Sequence, residues 1–544
     1  MRGRGRPILA FALTAKDAAL AWRKTEDGYA RGASWIAPLR HPALESVCFE
    51  QGSRLLLCVR ERWSGAGDGL AVDGAPDLDE AAARLRKWPL QWHMIIVEGA
   101  SAAIEAGHWG TAPIFLVANA DGLQGDWDAG RLLSLVPPDA VDVAGAARWI
   151  TDYATPYATH TLYPQLRLLP ERGKARWNGH ADDDAARLRF IAPPPWPRPY
   201  AGTVREDVDP VDVLDRILES SLRRWLAIAG DRAACEVSGG LDSCMVAAVA
   251  RRSGAFSGRS YGLSLVGTPE AELDQKERRA EIARCFGLRD RAIAMADHLP
   301  LVPSSARLDG TLPVLPWEEG YYEAMDALLV RARDDGMTML MTGFGGDELF
   351  GLRPSERRAL GLRPGGTGPD ADEVYAPAFL TATARQALRQ PVEPMPRAAS
   401  SESAVEASAF SAARYLRRGI WPVHPLCTPE LVHFCARLPP EWRRARRIER
   451  DFLARNGITE RVTRPRVRDD FSPAMARSMR GPARPLLSTL FQSSALADLG
   501  IVDGGKLRTD YAAWCEGGST AGATVFYATA ILELSLRVGR VGRP

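Results

Sequence analysis

The segment from Cys235 to Ala250, CEVSGGLDSCMVAAVA, admits few folds. A short apolar run enters a Ser/Gly turn and a helix-forming run, Cys244 to Ala250, leaves it. That pattern predicts strand, tight turn and helix. The turn itself is Ser238-Gly239-Gly240-Leu241-Asp242-Ser243. Its glycines let the backbone take positive φ and come close to an anion. The helix that follows offers unpaired N–H groups and the positive end of its dipole. Ser238 and Ser243 add hydroxyl donors, and Asp242 sets a carboxylate beside this anion site. A carboxylate there makes sense if Mg²⁺ bridges it to phosphate oxygens.

No Lys follows the glycines, so this is not the nucleotide loop that ends in Gly-Lys-Ser/Thr. The six residues resemble the pyrophosphate-binding loop of the ATP pyrophosphatases, which split ATP into AMP and pyrophosphate. A further strand candidate, Met337 to Leu340, runs into a second glycine turn with acids at its exit, Thr342-Gly343-Phe344-Gly345-Gly346-Asp347-Glu348. Asp242 and Asp347, at two neighbouring strand ends, can share one Mg²⁺ or two with ATP phosphates between them. GFGGDELFG resembles the Gly-rich Asp-Glu motif of asparagine synthetases. The resemblance implies that ATP is held by Val237, Ser238, Gly239, Gly240, Leu241, Asp242 and Ser243, with Gly343, Gly345 and Gly346 from the second turn. It also implies backbone contacts to adenine from Val237, Leu263 and Ser264. Asp274-Gln275 falls where the family usually has Asp-Glu, so only Asp274 carries over.

With 544 residues, two or more domains are expected. The net charge of +2 implies no global pull toward nucleic acid or membrane. No apolar run reaches membrane-span length. The basic start and short apolar patch of MRGRGRPILAFALTAKD read as a first strand rather than a signal peptide, which predicts a cytoplasmic protein. Eight cysteines without C-x-x-C pairs read as free thiols in a reducing compartment, and the histidines show no zinc spacing.

Residues 1–190 carry strand-length apolar runs, such as Leu55–Val59 and Ile114–Val117, among helical stretches such as Leu78–Lys87. They predict an α+β domain with a largely antiparallel sheet. The pieces GHWGTAPIF (107–115) and LYPQLRLL (162–169) resemble the glutamine-amidotransferase domain of asparagine synthetases. That domain depends on a cysteine directly after the initiator Met, and here Arg2 stands there. The expectation is therefore a degenerate amidotransferase-like domain. Five prolines in IAPPPWPRPY (191–200) mark a stiff linker over 191–207. From 208 to 544, alternating strands and helices predict an α/β domain with a parallel sheet. Its family equivalent is the adenine nucleotide α-hydrolase (PP-loop) synthetase domain. Residues 362–373 and 390–408, rich in Pro, Gly, Ser and acids, read as mobile loops, either a lid or surface insertions.

Residues 436–468 hold eleven arginines, most of which read as a solvated helix face. The exception is Arg464-Pro465-Arg466, which resembles the family loop whose Arg and Lys reach the polyphosphate. Arg466 stands where Lys is expected, with Arg468 as fallback. Between the glycine turns, PVLPWEEGYYE (313–323) either packs a helix start through Trp317 or lines a pocket in which Glu318 or Glu319 acts as base.

Within the asparagine synthetase-like family, the chain most resembles the lasso-peptide macrolactam synthetases. Its length, the absent N-terminal Cys and the HWGTAP, GDWDAG and GFGGDEL sequences carry this. The implied reaction adenylates an Asp or Glu side chain of a precursor peptide and closes an amide with the peptide's N-terminal amine. A leader peptidase and a leader-binding protein are the implied partners. The alternatives are an asparagine synthetase, a β-lactam synthetase, or a degenerate scaffold subunit. Phe344 stands where the β-lactam enzymes have Tyr, and Phe cannot transfer a proton.

Overall fold

The structure, a computed structural model, describes residues 9–541 except 64–76, 110, 138, 154–156, 198–201, 203, 363–375, 392–394 and 468. Its C-terminal half is built on a five-stranded parallel sheet. In chain order the strands are β1 (Ala233–Glu236), β2 (Arg259–Ser264), β3 (Arg289–Ala294), β4 (Met339–Met341) and β5 (Trp421–Val423). Their spatial order is β3-β2-β1-β4-β5. The chain thus builds outward from β1, then returns to add β4 on its other side. At such a switch point a crevice opens beyond the carboxyl ends of the two central strands.

β4 reads Met-Leu-Met and is wholly buried, as a central strand covered on both faces should be. The edges are less regular. β3, RDRAIA, is largely polar, and β5 contains Pro422, which an edge strand tolerates. The polar start of β3 and the proline of β5 break the pattern that marks a strand in sequence. Helices α1 (Pro210–Ala229), α2 (Leu241–Arg252), α3 (Pro269–Cys285), α4 (Tyr322–Asp334), α5 (Glu402–Arg417), α6 (Arg447–Arg455) and α7 (Ala523–Val541) pack around or beside the sheet. Asp209 caps α1 through the Val211 N–H, with Pro210 at the first helical position. Leu214, Leu218, Leu222 and Leu226 form its buried stripe.

The expected loop at 390–408 is corrected in its second part. Ser401 accepts from the Ala404 N–H (3.3 Å) and starts α5, whose Ala404, Val405 and Ala409 are buried. A Ser-rich stretch reads as loop, yet serine is also a preferred helix cap. Residues 363–373 of the other expected loop lie outside the described residues.

The N-terminal half holds two antiparallel sheets of seven and six strands, with Leu9–Leu13 central in one and Trp92–Glu98 inside the other. Leu9, Phe11 and Leu116 of the first share a core with Leu57, Ile95 and Ile104 of the second. The same core runs on into Leu214, Leu222 and Val249 of the C-terminal half. Glu61, at the end of the strand Arg54–Glu61, joins the halves directly. It is 3% exposed and accepts from Trp421 Nε1 on β5 (2.6 Å), Trp225 Nε1 on α1 (3.3 Å) and the Gln91 N–H (3.0 Å). Among the described residues, no helix is long and apolar enough to cross a membrane.

Two predictions follow from these buried groups. Glu61→Ala leaves two indole N–H groups without their acceptor and should cost about 2–4 kcal/mol in chemical denaturation. The exposed Arg464→Ala should stay near wild type. Burial holds His93 and His424 down to about 4 and about 3. The unfolded chain protonates them near 6.5, so it binds more protons than the folded one below that pH. Each imidazole should therefore cost up to about 1.4 kcal/mol per pH unit as pH drops from 6.5 toward 5. Over that range the difference in denaturation midpoint between His93→Gln and wild type should shift in favour of the variant.

Candidate nucleotide site

β1 ends at Glu236, and Val237 prolongs its pairing by donating to the Tyr261 carbonyl (2.7 Å). The chain then turns through Gly239 at φ +95° and enters α2. Only glycine takes that φ without strain. Gly240 caps α2 with no side-chain hydrogen bond, so the first N–H groups of the helix stay available to an anion. The turn is braced from within. Ser243 Oγ accepts from the Ser238 N–H (3.2 Å), and Ser238 Oγ accepts from the Gly240 N–H (3.2 Å).

The second turn follows β4 and lies against the first. A Cβ on Gly346 would fall 1.7 Å from Asp242 Oδ1, and one on Gly343 would fall 2.8 Å from the Ser243 nitrogen. Both glycines are therefore fixed by the approach of the two turns. Gly345, at φ +91°, meets Cys427 in the same way, its Cβ position lying 2.7 Å from the sulfur. Thr342 Oγ1 lies 2.7 Å from His424 Nδ1, and the Phe344 ring stacks on that imidazole at 5.0 Å.

Asp242 and Asp347 converge on one cation, the guanidinium of Arg446. Its Nη2 pairs with Asp242, and its Nη1 lies 2.5 Å from Asp347 Oδ1. Asp347 is otherwise open to solvent, with its side chain 84% exposed. Behind them, Glu449 is fully buried, 2.7 Å from Arg446 Nε. Burial, then the charge of Asp242, raises the Glu449 carboxyl well above its usual range. Burial raises Asp242 too, against the pull of Arg446. Desolvation would lower the Arg446 guanidinium, but the charges of Glu449, Asp242 and Asp347 outweigh it. The backbone is distorted to bring this residue in. Ala445 and Arg446 both sit in the left-handed region, at φ +53° and +57°. For residues with a side chain that costs roughly 1–2 kcal/mol each.

Mg²⁺ takes one or two carboxylates and fills the rest of its shell with water and phosphate. Asp242 and Asp347 fit that demand, since a single cationic group already reaches both. Among the described residues no cluster of three His, Cys, Asp or Glu forms a complete metal cage. The carboxylate pair would leave the rest of a magnesium shell to water or phosphate oxygens.

Two residues not read as functional in the sequence tie the first turn to its surroundings. Gln275 Nε2 donates to the Ser238 and Leu263 carbonyls (both 3.0 Å), while its Oε1 accepts from the Leu265 N–H (3.0 Å). The departure from Asp-Glu to Asp-Gln thus installs a clamp between the glycine turn and the end of β2, where Leu263 and Ser264 lie. Arg278, buried on α3, donates to the Gly239 carbonyl (2.7 Å) and pairs with Asp274 (3.0 Å) and Asp469 (2.6 Å). That last pair anchors the loop of Arg464 and Arg466 beside the turn. Arg464 is exposed and pairs with Glu460 (3.1 Å). Arg466 is exposed and makes no ion pair among the described residues, and Arg468 lies outside them. Arg450 of α6 completes the group. Desolvation and the charges of Arg464 and Arg446 lower its guanidinium.

The expectation that the arginine run 436–468 is a solvated face is corrected at Arg446, whose side chain is 17% exposed and serves the site. Glu318 is corrected as a base. It is 6% exposed and lies between Arg307 (3.3 Å) and Arg417 (3.5 Å), in a network that extends to Asp128 of the N-terminal half. A carboxylate enclosed by two arginines neutralises buried charge. Glu319 pairs with Arg414 (2.9 Å) at a half-buried position. Next to the second turn opens a cavity of about 830 Å³, walled by Glu348, Arg353, Arg358, Met395, Trp196 and Tyr157. Gly346→Ala should displace Asp242 and weaken nucleotide binding at least tenfold by calorimetric titration. Gly518→Ala, where a Cβ meets nothing within 4 Å, should leave binding unchanged.

The asparagine synthase family model matches residues 213–421 and 416–537. No curated protein matches the chain. Among solved structures, the chain overlaps the U34-tRNA thiolase from Methanococcus maripaludis with its 4Fe–4S cluster. That overlap has 11% identity over 57% of this chain and 81% of the other, at a TM-score of 0.24. It also overlaps the glutamine phosphoribosylpyrophosphate amidotransferase from B. subtilis complexed with ADP and GMP, at 10% identity over 63% and 76%, TM-score 0.22. Both overlaps are loose at those scores. With its family match spanning both glycine turns and most of the C-terminal half, the chain belongs to the asparagine synthase family of ATP-dependent amide-forming enzymes.

Proposed function

We propose that the protein is a lasso-peptide cyclase, an AMP-forming macrolactam synthetase. The observation that carries the ATP chemistry is the convergence of Asp242 and Asp347 on one cation beside the uncapped start of α2. A side-chain carboxylate of the peptide attacks the ATP α-phosphate. The new bond joins carboxylate oxygen to phosphorus, and the bond to the β-phosphate oxygen breaks, releasing pyrophosphate. The peptide's N-terminal amine then attacks the acyl carbon, gives up a proton and expels AMP. The peptide loses one water in total, and no protein nucleophile is needed.

Each residue group has a part in this reading. The N–H groups at the start of α2, with Ser238 and Ser243, hold the pyrophosphate. Asp242 and Asp347 hold Mg²⁺, which supplies Lewis-acid charge to the phosphates when bound. Arg450, Arg464 and Arg466 offset the charge that develops on the leaving group. Val237, Leu263 and Ser264 flank the adenine. The cavity beside Glu348 is large enough for part of a folded peptide, which must be held in shape before ring closure.

One observation favours a substrate that brings its own amine. The N-terminal half has two cysteines, Cys48 and Cys58, both inside paired strands, and burial raises both thiols. A leader peptidase and a leader-binding protein are the proposed partners.

Incubation with ATP, Mg²⁺ and a leaderless peptide carrying a candidate acceptor Asp or Glu tests the reading by mass spectrometry. The expected result is loss of one water with one AMP per peptide, and at least a thousandfold less AMP from Asp242→Asn. AMP released only with free aspartate and ammonia would identify an asparagine synthetase instead.

A further inference from the structure

We propose that Arg446 is an exchangeable counter-cation, which holds the Asp242–Asp347 pair in the ligand-free enzyme and surrenders it when the magnesium nucleotide binds. The inference rests on the assignment of Asp242 and Asp347 to Mg²⁺ under the proposed function.

The place that a divalent cation must take between these carboxylates is held by the Arg446 guanidinium, which pairs with both. One group cannot keep both partners while a metal is bound to the same oxygens. The residue is not there by default. Ala445 and Arg446 adopt consecutive left-handed conformations to deliver it, and Glu449 behind it is wholly buried. Asp347, by contrast, is largely in solvent, so its bond to Arg446 can open without unpacking the core.

The exchange has a favourable charge balance. In the resting site Asp242, Asp347 and Glu449 all pair with one guanidinium. A magnesium nucleotide brings two positive charges for the aspartates and phosphate oxygens for the guanidinium. Planar guanidinium groups pair with phosphate as readily as with carboxylate. Arg446 released from the aspartates would then be free to pair with those phosphate oxygens. Arg446 thereby guards the carboxylates against a free divalent cation and leaves them open to one that arrives with phosphate.

Binding of Mn²⁺, followed by electron paramagnetic resonance, tests this without reference to turnover. Nucleotide-free wild type should bind Mn²⁺ weakly, and Arg446→Ala at least tenfold more tightly. In the chelator-treated state Arg446→Ala should melt below wild type, and Mn²⁺ should restore its Tm more than it raises that of wild type. Arg446→Gln carries the same expectations if the alanine variant does not fold. Tight Mn²⁺ binding by wild type with a non-hydrolysable ATP analogue, but no gain in either nucleotide-free variant, would overturn the exchange alone. Failure of wild type to bind Mn²⁺ even with the analogue would overturn the metal assignment and this inference with it.

Discussion

The close approach of two glycine turns at the ends of β1 and β4 is the constraint on which the rest of the site depends. Parallel pairing of these strands sets their carboxyl ends side by side. The turns then lie so near that Gly346 has no room for a methyl group beside Asp242. Everything chemical at the site follows from that distance. Two aspartates far apart in sequence come within the reach of one cation, and the start of α2 faces the same space. The outer strands and the helices serve this contact by burying the sheet on both sides.

The parts of this arrangement that could be read in the sequence are those in which one short segment states both backbone and chemistry. SGGLDS and GFGGDE each combine a conformation open to glycine with an acid at the exit. The helices around them were legible for the same reason: α1 carries its cap, its proline and its leucine stripe within one run. Arg446 was not legible, because its partners Asp242 and Asp347 lie far back in the chain and its neighbours are also arginines. Only the left-handed pair at Ala445 and Arg446 distinguishes it, and neither residue type announces that conformation. Gln275 looked like a departure from a motif, when its amide does what a carboxylate could not, donating to two carbonyls while accepting from an N–H. Glu318 looked like a base among aromatics because the guanidinium groups that enclose it come from other segments.

Charge inside the molecule is placed in two different ways. Around Glu318, arginines and acids are matched and shut away: Arg307 is fully buried against Glu318 and Glu323, and Arg417 joins Asp128 at 2.7 Å. Pairs of this kind add little net stability, but they fix how elements sit against one another. Around Asp242, the charges are unmatched. Arg446 alone meets Asp242, Asp347 and Glu449, and one aspartate remains mostly in water. The first pattern belongs to a frame and the second to a place where charged matter comes and goes.

The core shared across Glu61, Trp225 and Trp421 has a bearing on the protein's descent. A region joined to its neighbour by a flexible tether can be lost by a single deletion once its own chemistry lapses. Here the antiparallel sheets supply a wall of the interior in which α1 and β5 are packed. Losing them would strip apolar surface from the synthetase itself. Selection acting only on amide formation would then preserve the N-terminal half, whether or not that half performs any reaction of its own.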